Sequence, residues 1–195
     1  MPRPESGKPA AREPLSRARI LAAALSIADA EGLEALSMRR LAASLGVEAM
    51  SLYNHVANKD DVLDGLVDLV LSEVDLPGED SGWREAMRRR ALSAHRVFVR
   101  HPWAPVLIES RITSGAARLE YTEAVLRSLR RNGFPVASAH RAFMVLDSYI
   151  YGFAMQESSW PLEGAERAAV IDAFRAHVPA DRYPHLLEIM EHLLA

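Results

Sequence analysis

Residues 46–63 read GVEAMSLYNHVANKDDVL, and the order of residue types in this stretch decides the fold. Gly46 suits the left-handed backbone that ends one helix and redirects the chain into another. Leu52 and Val56 stand four positions apart and so share one face of the helix expected over EAMSLYNHV. At about 100° per residue, Met50, Ser51 and Asn54 point away from that face, and Ala49, Tyr53 and His55 flank them. A solvated helix face is ordinarily built from Glu, Lys and Ala, which form helices well. Ser, Asn, Tyr and His in their place put hydrogen-bonding groups on the free side. Asn58 then caps a further helix, whose first turn holds Asp60 and Asp61 at the positive end of its dipole.

Upstream, Ile20, Leu21, Ala24, Leu25 and Ala28 recur at helical spacing between a capping Ser16 and a terminating Gly32. Ser37 opens a second, short helix that buries Leu41, Ala42 and Leu45 and stops at Gly46. Downstream, Leu63, Leu66, Val67, Val70, Leu71 and Val74 give the helix from Asn58 an apolar stripe running to about Leu76. That stripe is longer than a three-helix unit covers, so this helix is expected to connect two domains. After the break at Pro77 and Gly78, helices are expected near 83–101, 104–111, 115–132, 135–158, 164–176 and 181–195. No alternating strand pattern competes, and the fold class is all-α.

The 195 residues carry a net charge of -3, so a nucleic-acid partner has to be argued from a local site. The chain has no cysteine, which excludes disulfides, zinc fingers and thiol catalysis and makes the cytoplasm the expected compartment. No apolar run is long enough to span a membrane, and the start has no signal-peptide core, so no membrane anchor is expected. Residues 1–14, with Pro2, Pro4, Pro9 and Pro14 beside Arg3, Lys8 and Arg12, form an expected disordered basic tail.

Two short helices joined at Gly46 and preceded by a longer one match a helix-turn-helix, whose second helix enters the DNA major groove. Asn pairs with adenine, Ser and His donate or accept, Tyr donates to phosphate, and Met50 suits a thymine methyl. Arg39 and Lys59, at the starts of neighbouring helices, are placed to grip the phosphate backbone. The alternative is a solvated helical hairpin. The run LSMRRLAASLGVEAMSLYNHVANKDDVLDGL, residues 36–66, resembles the DNA-binding signature of the tetracycline-repressor (TetR) family. The Gly-Val turn, the Leu-Tyr-x-His-Val core and the Asn-Lys cap are in register, within a match over residues 15–66. The resemblance implies DNA contacts from Ser37, Met38 and Arg39, from Ala49, Met50, Ser51, Tyr53, Asn54 and His55, and from Lys59. Ala49 lacks hydrogen-bonding reach, so fewer base contacts are implied there. Arg17 and Arg19 are further phosphate-contact candidates, with a solvated charge as the alternative.

Residues 83–158 resemble the same family's C-terminal domain less closely, through Gly82-Trp83, RRNGF at 130–134 and the helix after it. The expected division is a DNA-binding domain over 15–62 and a ligand-binding and dimerisation domain over 63–195. The long helix over 135–158 is apolar almost all round, and Leu186, Leu187, Met190, Leu193 and Leu194 stripe the last one. A homodimer built on these two helices is expected, which is what the family uses; intramolecular packing is the alternative. Two reading heads then address a near-palindromic double-stranded DNA operator.

The input of such a regulator is a small-molecule effector in a largely apolar cavity. Trp103, Leu107, Ile108, Tyr121, Val125, Phe143, Met144 and Asp147 are the candidate lining, with core packing as the alternative for each. Asp147 is a lone acid in an apolar helix and calls for an arginine or a ligand group. Positions that grip the metal-drug complex in tetracycline-binding members fall here on Ile108, Asp75, Arg90 and Ala94, so no magnesium-tetracycline site is expected, and no cofactor. The rival class is a helical-bundle enzyme or metal-binding protein using His140, Asp147, His185, Glu188, Glu191 and His192. The Glu-x-x-His pairs of di-iron bundles are absent from the sequence.

Overall fold

A computed structural model describes residues 14–78, 82–112, 115–159 and 164–194; the proposed N-terminal tail lies almost wholly outside them. The described residues are all-helical. They fall in two compact units, one up to Met155 and one from Gln156 onward.

In the first unit, α1 (Arg17–Glu31) begins at Ser16, whose hydroxyl accepts the Arg19 N–H, and ends at Gly32, with φ of 82°. A 3-10 turn, Leu33–Ala35, leads to α2 (Met38–Leu45), capped by the Ser37 hydroxyl on the Arg40 N–H. Gly46 closes α2 in the left-handed region, φ 66° and ψ 38°. The Val47 N–H then reaches back to the Ala42 carbonyl at 3.1 Å, which satisfies the end of α2 and aims the chain at α3 (Ala49–Leu52).

This α3 is one turn long, shorter than the helix expected over EAMSLYNHV. The N–H groups of Tyr53 and His55 bond three residues back, to Met50 (3.3 Å) and Leu52 (2.9 Å), which tightens the backbone after Leu52. Leu52 and Val56 are both buried all the same.

Next, α4 (Lys59–Ser72) starts at Asn58, whose side chain accepts the Asp61 N–H at 2.8 Å. It stops four positions short of the expected Leu76. There the Asp75 N–H is taken by the Ser93 hydroxyl at 2.9 Å, a tertiary bond that replaces continued helix. Helices α5 (Trp83–Arg100), α6 (Ala104–Ser110), α7 (Ala116–Arg131) and α8 (Val136–Ser158) complete the series. α4 packs on α1, α6 and α7. One apolar cluster therefore runs from Ile20, Leu41 and Leu52 through Leu66 to Phe98, Ile108 and Tyr151. A second joins Met87, Val125, Leu129 and Ala139, with Trp83 edge-on to Phe134 at 5.1 Å.

In the second unit, α9 (Gly164–Arg175) and α10 (Pro184–Leu194) pack on each other and are tied by Arg175 to Glu191 at 3.1 Å. Ile171 and Met190 are buried there, while Ile189 and Leu193 are exposed. On α8, Val145, Tyr149 and Phe153 likewise face outward.

Candidate nucleic-acid interface and effector cavity

The segment after Gly46 sorts its side chains as its two periodic apolar residues require. Leu52 and Val56 enter the core beside Ile20 and Leu41, while Met50 is 75% exposed and Tyr53 44%. Asn54, His55, Lys59 and Arg39 are exposed, and Ser51 is half-buried. Ala49 and Met38 pack partly against the core. The Ser37 hydroxyl is occupied as a helix cap. Arg17 pairs with Asp61 at 2.7 Å and so fastens α1 to the first turn of α4. That guanidinium, with the Ala57 N–H, holds the Asp61 carboxyl below the usual carboxylate range.

Leu71 on α4, with Ile108, Glu109, Arg118, Tyr121, Thr122, Phe143, Met144, Asp147, Ser148 and Tyr151 from the helices after it, surround a cavity of about 230 Å³. Five of these, Ile108, Tyr121, Phe143, Met144 and Asp147, are sequence candidates. The other three candidates lie elsewhere. Leu107 is buried in the main core and Val125 in the second cluster. The Trp103 indole donates to Asp29 at 2.8 Å, next to His101, which meets the same carboxylate at 2.7 Å. Glu109, Arg118, Thr122 and Ser148 have the sequence pattern of ordinary solvated positions, so periodicity does not mark this polar lining. Arg118 and Tyr121 are three apart on α7, and Asp147 and Tyr151 four apart on α8, spacings that place each pair on one face.

The acid inside α8 has its arginine. Arg90, almost fully buried, donates from Nη1 to Asp147 Oδ1 at 2.6 Å and to the Tyr121 hydroxyl at 2.5 Å. The Tyr121 and Tyr151 hydroxyls donate to the two Asp147 oxygens at 3.2 and 3.4 Å. Burial pushes the Asp147 carboxyl up, opposed by Arg90, and burial also raises both phenols. Nε and Nη2 of Arg90 have no acceptor among the described residues.

The cavity is wired to α4. Arg118, in its wall, donates from Nη1 to the carbonyls of Ile108 (3.0 Å) and Arg111 (2.8 Å), and its own N–H bonds Asp68 on α4 at 3.1 Å. Arg111 in turn reaches Asp64 at 2.6 Å and Asp60 at 3.1 Å, five and one positions beyond Lys59. No group of three or more His, Asp or Glu among the described residues is arranged to hold a metal ion.

Comparison with known proteins agrees with both halves. Residues 20–66 match the model for bacterial regulatory proteins of the tetR family, and residues 76–194 the tetracyclin repressor-like C-terminal domain. The HTH-type transcriptional repressor DrrR1 of Streptomyces coeruleorubidus is 35% identical, over 96% of this chain and 74% of its own length. The class A tetracycline repressor from transposon 1721 of Escherichia coli is 30% identical, over 78% of this chain and 72% of its own. The crystal structure of the Streptomyces coelicolor TetR family protein ActR in complex with actinorhodin superposes with a TM-score of 0.77. It is 32% identical and covers 94% of this chain and 88% of its own. The enzyme or metal-protein alternative finds no support, and the chain belongs to the tetR family of ligand-responsive, DNA-binding bacterial transcriptional regulators.

Proposed function

We propose that this protein is a homodimeric cytoplasmic repressor that leaves a near-palindromic operator when a small molecule occupies the cavity beside Tyr121 and Phe143. Residues 15–62 serve as the reading head and residues 63–195 take the effector and the partner subunit. The observation that carries the reading is the free side of the segment after Gly46. Met50, Tyr53, Asn54 and His55 stand exposed over the buried Leu52 and Val56, with Lys59 and Arg39 exposed alongside. Hydrogen-bonding groups on a seated scaffold are what base edges and phosphates need. Outward-facing Val145, Tyr149 and Phe153 on α8, and Ile189 and Leu193 on α10, supply apolar surface for a second copy. The actinorhodin complex of the related ActR supports an effector role for the cavity.

The route from cavity to head runs through α4. An occupant that moves Arg118 moves the carbonyls it holds, and Arg111 passes that shift to Asp60 and Asp64 at the start of α4. Only a molecule with different affinities for the two arrangements drives this change. Arg111→Ala is expected to raise amide exchange in residues 59–64, while stability falls by about 1 kcal/mol because the clamp is partly solvated.

Binding to the DNA upstream of the protein's own gene tests the reading. Operator affinity should survive random competitor and fall steeply with salt, by about 0.9 log units per log unit of salt for each phosphate neutralised. Tyr53→Ala is expected to weaken binding on every operator variant. Asn54→Ala should cost about 1–3 kcal/mol and blur preference at one base position. Indifference to DNA at low ionic strength would remove the regulator reading of this site.

A further inference from the structure

Among the cavity's lining residues there is one cation, Arg118. Its Nη1 bonds two neutral carbonyls, those of Ile108 and Arg111, at 3.0 and 2.8 Å. No carboxylate pairs with it, and Nε and Nη2 have no acceptor among the described residues. The cavity's two acids are differently placed. Asp147 is held by Arg90 at 2.6 Å, so its charge is already met inside the protein. Glu109 is exposed at the rim. The wall thus offers a guanidinium edge without a counter-charge. A carboxylate on that edge adds ion pairing to charge-assisted bonds, which are about twice as strong as bonds between two neutral groups, and two parallel ones fit the fork.

We propose that the effector is an aromatic acid: a flat apolar body lying against Phe143, Tyr121 and Met144, with its carboxylate on Arg118. The inference rests on the effector reading above and names the chemistry that reading leaves open. The cavity's volume of about 230 Å³ is below the roughly 300–1,000 Å³ of drug-sized sites, which suits a body of about two fused rings. Ser148, with no hydrogen-bond partner among the described residues, and Thr122, whose hydroxyl donates to the Arg118 carbonyl at 3.0 Å, stand in the same wall. Arg118 is pre-positioned: its N–H is fixed on Asp68 at 3.1 Å and its Nη1 by two carbonyls, so little freedom is lost on binding.

The test uses three probes of one shape on the full chain: 2-naphthoate, neutral 2-naphthamide and cationic 2-naphthylmethylamine, with affinities read by calorimetry at pH 7. Naphthoate should bind wild type at least tenfold more tightly than the amide, and the amine no better than the amide. In Arg118→Gln the preference for naphthoate over naphthamide should fall to within threefold, whatever the change in amide affinity, and Glu109→Gln should tighten naphthoate. Equal affinity for naphthoate and naphthamide, tighter binding of the amine, no binding of any of the three, or a naphthoate preference that survives in Arg118→Gln would overturn the proposal. The wild-type comparison alone decides it if the variant fails to fold. Operator binding without any probe, measured on the same samples, reports separately on the regulator reading.

Discussion

Asp147→Ala should lower the thermal midpoint by about 10 °C, the largest single loss expected outside the reading head. Arg90 is almost fully buried, and its one carboxylate partner among the described residues is Asp147 at 2.6 Å. Removing that partner leaves a guanidinium in an apolar interior with the Tyr121 hydroxyl as its remaining acceptor among the described residues. Breaking a buried pair from one side typically costs about 3–5 kcal/mol, because the surviving charge is stranded. For a chain of this size each kcal/mol corresponds to about 2–4 °C. The attraction itself is worth much less than that loss, since both charges were desolvated to make it. The double variant Arg90→Met with Asp147→Leu, of similar volume and no charge, should therefore recover most of the midpoint. Thermal melts followed by circular dichroism at one fixed protein concentration measure both variants. A double variant as unstable as the single one would show that the ion pair itself, rather than the stranded charge, carries the stability.

That network also marks where the sequence stops being readable. A lone acid in α8 demanded a partner, and no local pattern pointed to Arg90, 57 positions away on α5. The caps were legible because they are local: Ser16, Ser37 and Asn58 bond an N–H three residues on, and Gly32 and Gly46 take positive φ where those helices end. Periodicity placed α5 to α10 for the same reason. It misjudged α3, where an α turn and a 3-10 turn bury Leu52 and Val56 equally well, and the end of α4, which Ser93 of another helix decides. In the cavity, apolar spacing identified residues that leave water but not the neighbour each one meets. Hence spacing alone groups Leu107 and Val125 with Ile108 and Phe143 although they face the core, and Trp103 although its indole binds Asp29 across 74 positions. Arg118, on which the cavity's chemistry turns, has the pattern of any solvated arginine until its carbonyl partners are known.

Leu52→Ala should abolish operator binding and cost about 2–5 kcal/mol of stability, although Leu52 has no exposed surface to offer a base. The side chain is fully buried, in one cluster with Ile20, Leu41 and Val56. Its backbone is also the hinge of the turn, since the Leu52 carbonyl accepts both the His55 N–H at 2.9 Å and the Val56 N–H at 3.0 Å. The truncated side chain leaves a cavity beneath the turn that presents Tyr53, Asn54 and His55. A one-turn α3 has too few internal hydrogen bonds to keep its shape without that seat. Met50→Ala, two residues earlier and 75% exposed, is the control: stability should change by less than about 0.5 kcal/mol, with only a partial loss of operator affinity. Amide exchange over residues 47–58 separates the two effects, rising in Leu52→Ala and unchanged in Met50→Ala. A Leu52→Ala protein that keeps both protection and operator affinity would mean that the reading surface holds its form without the core beneath it.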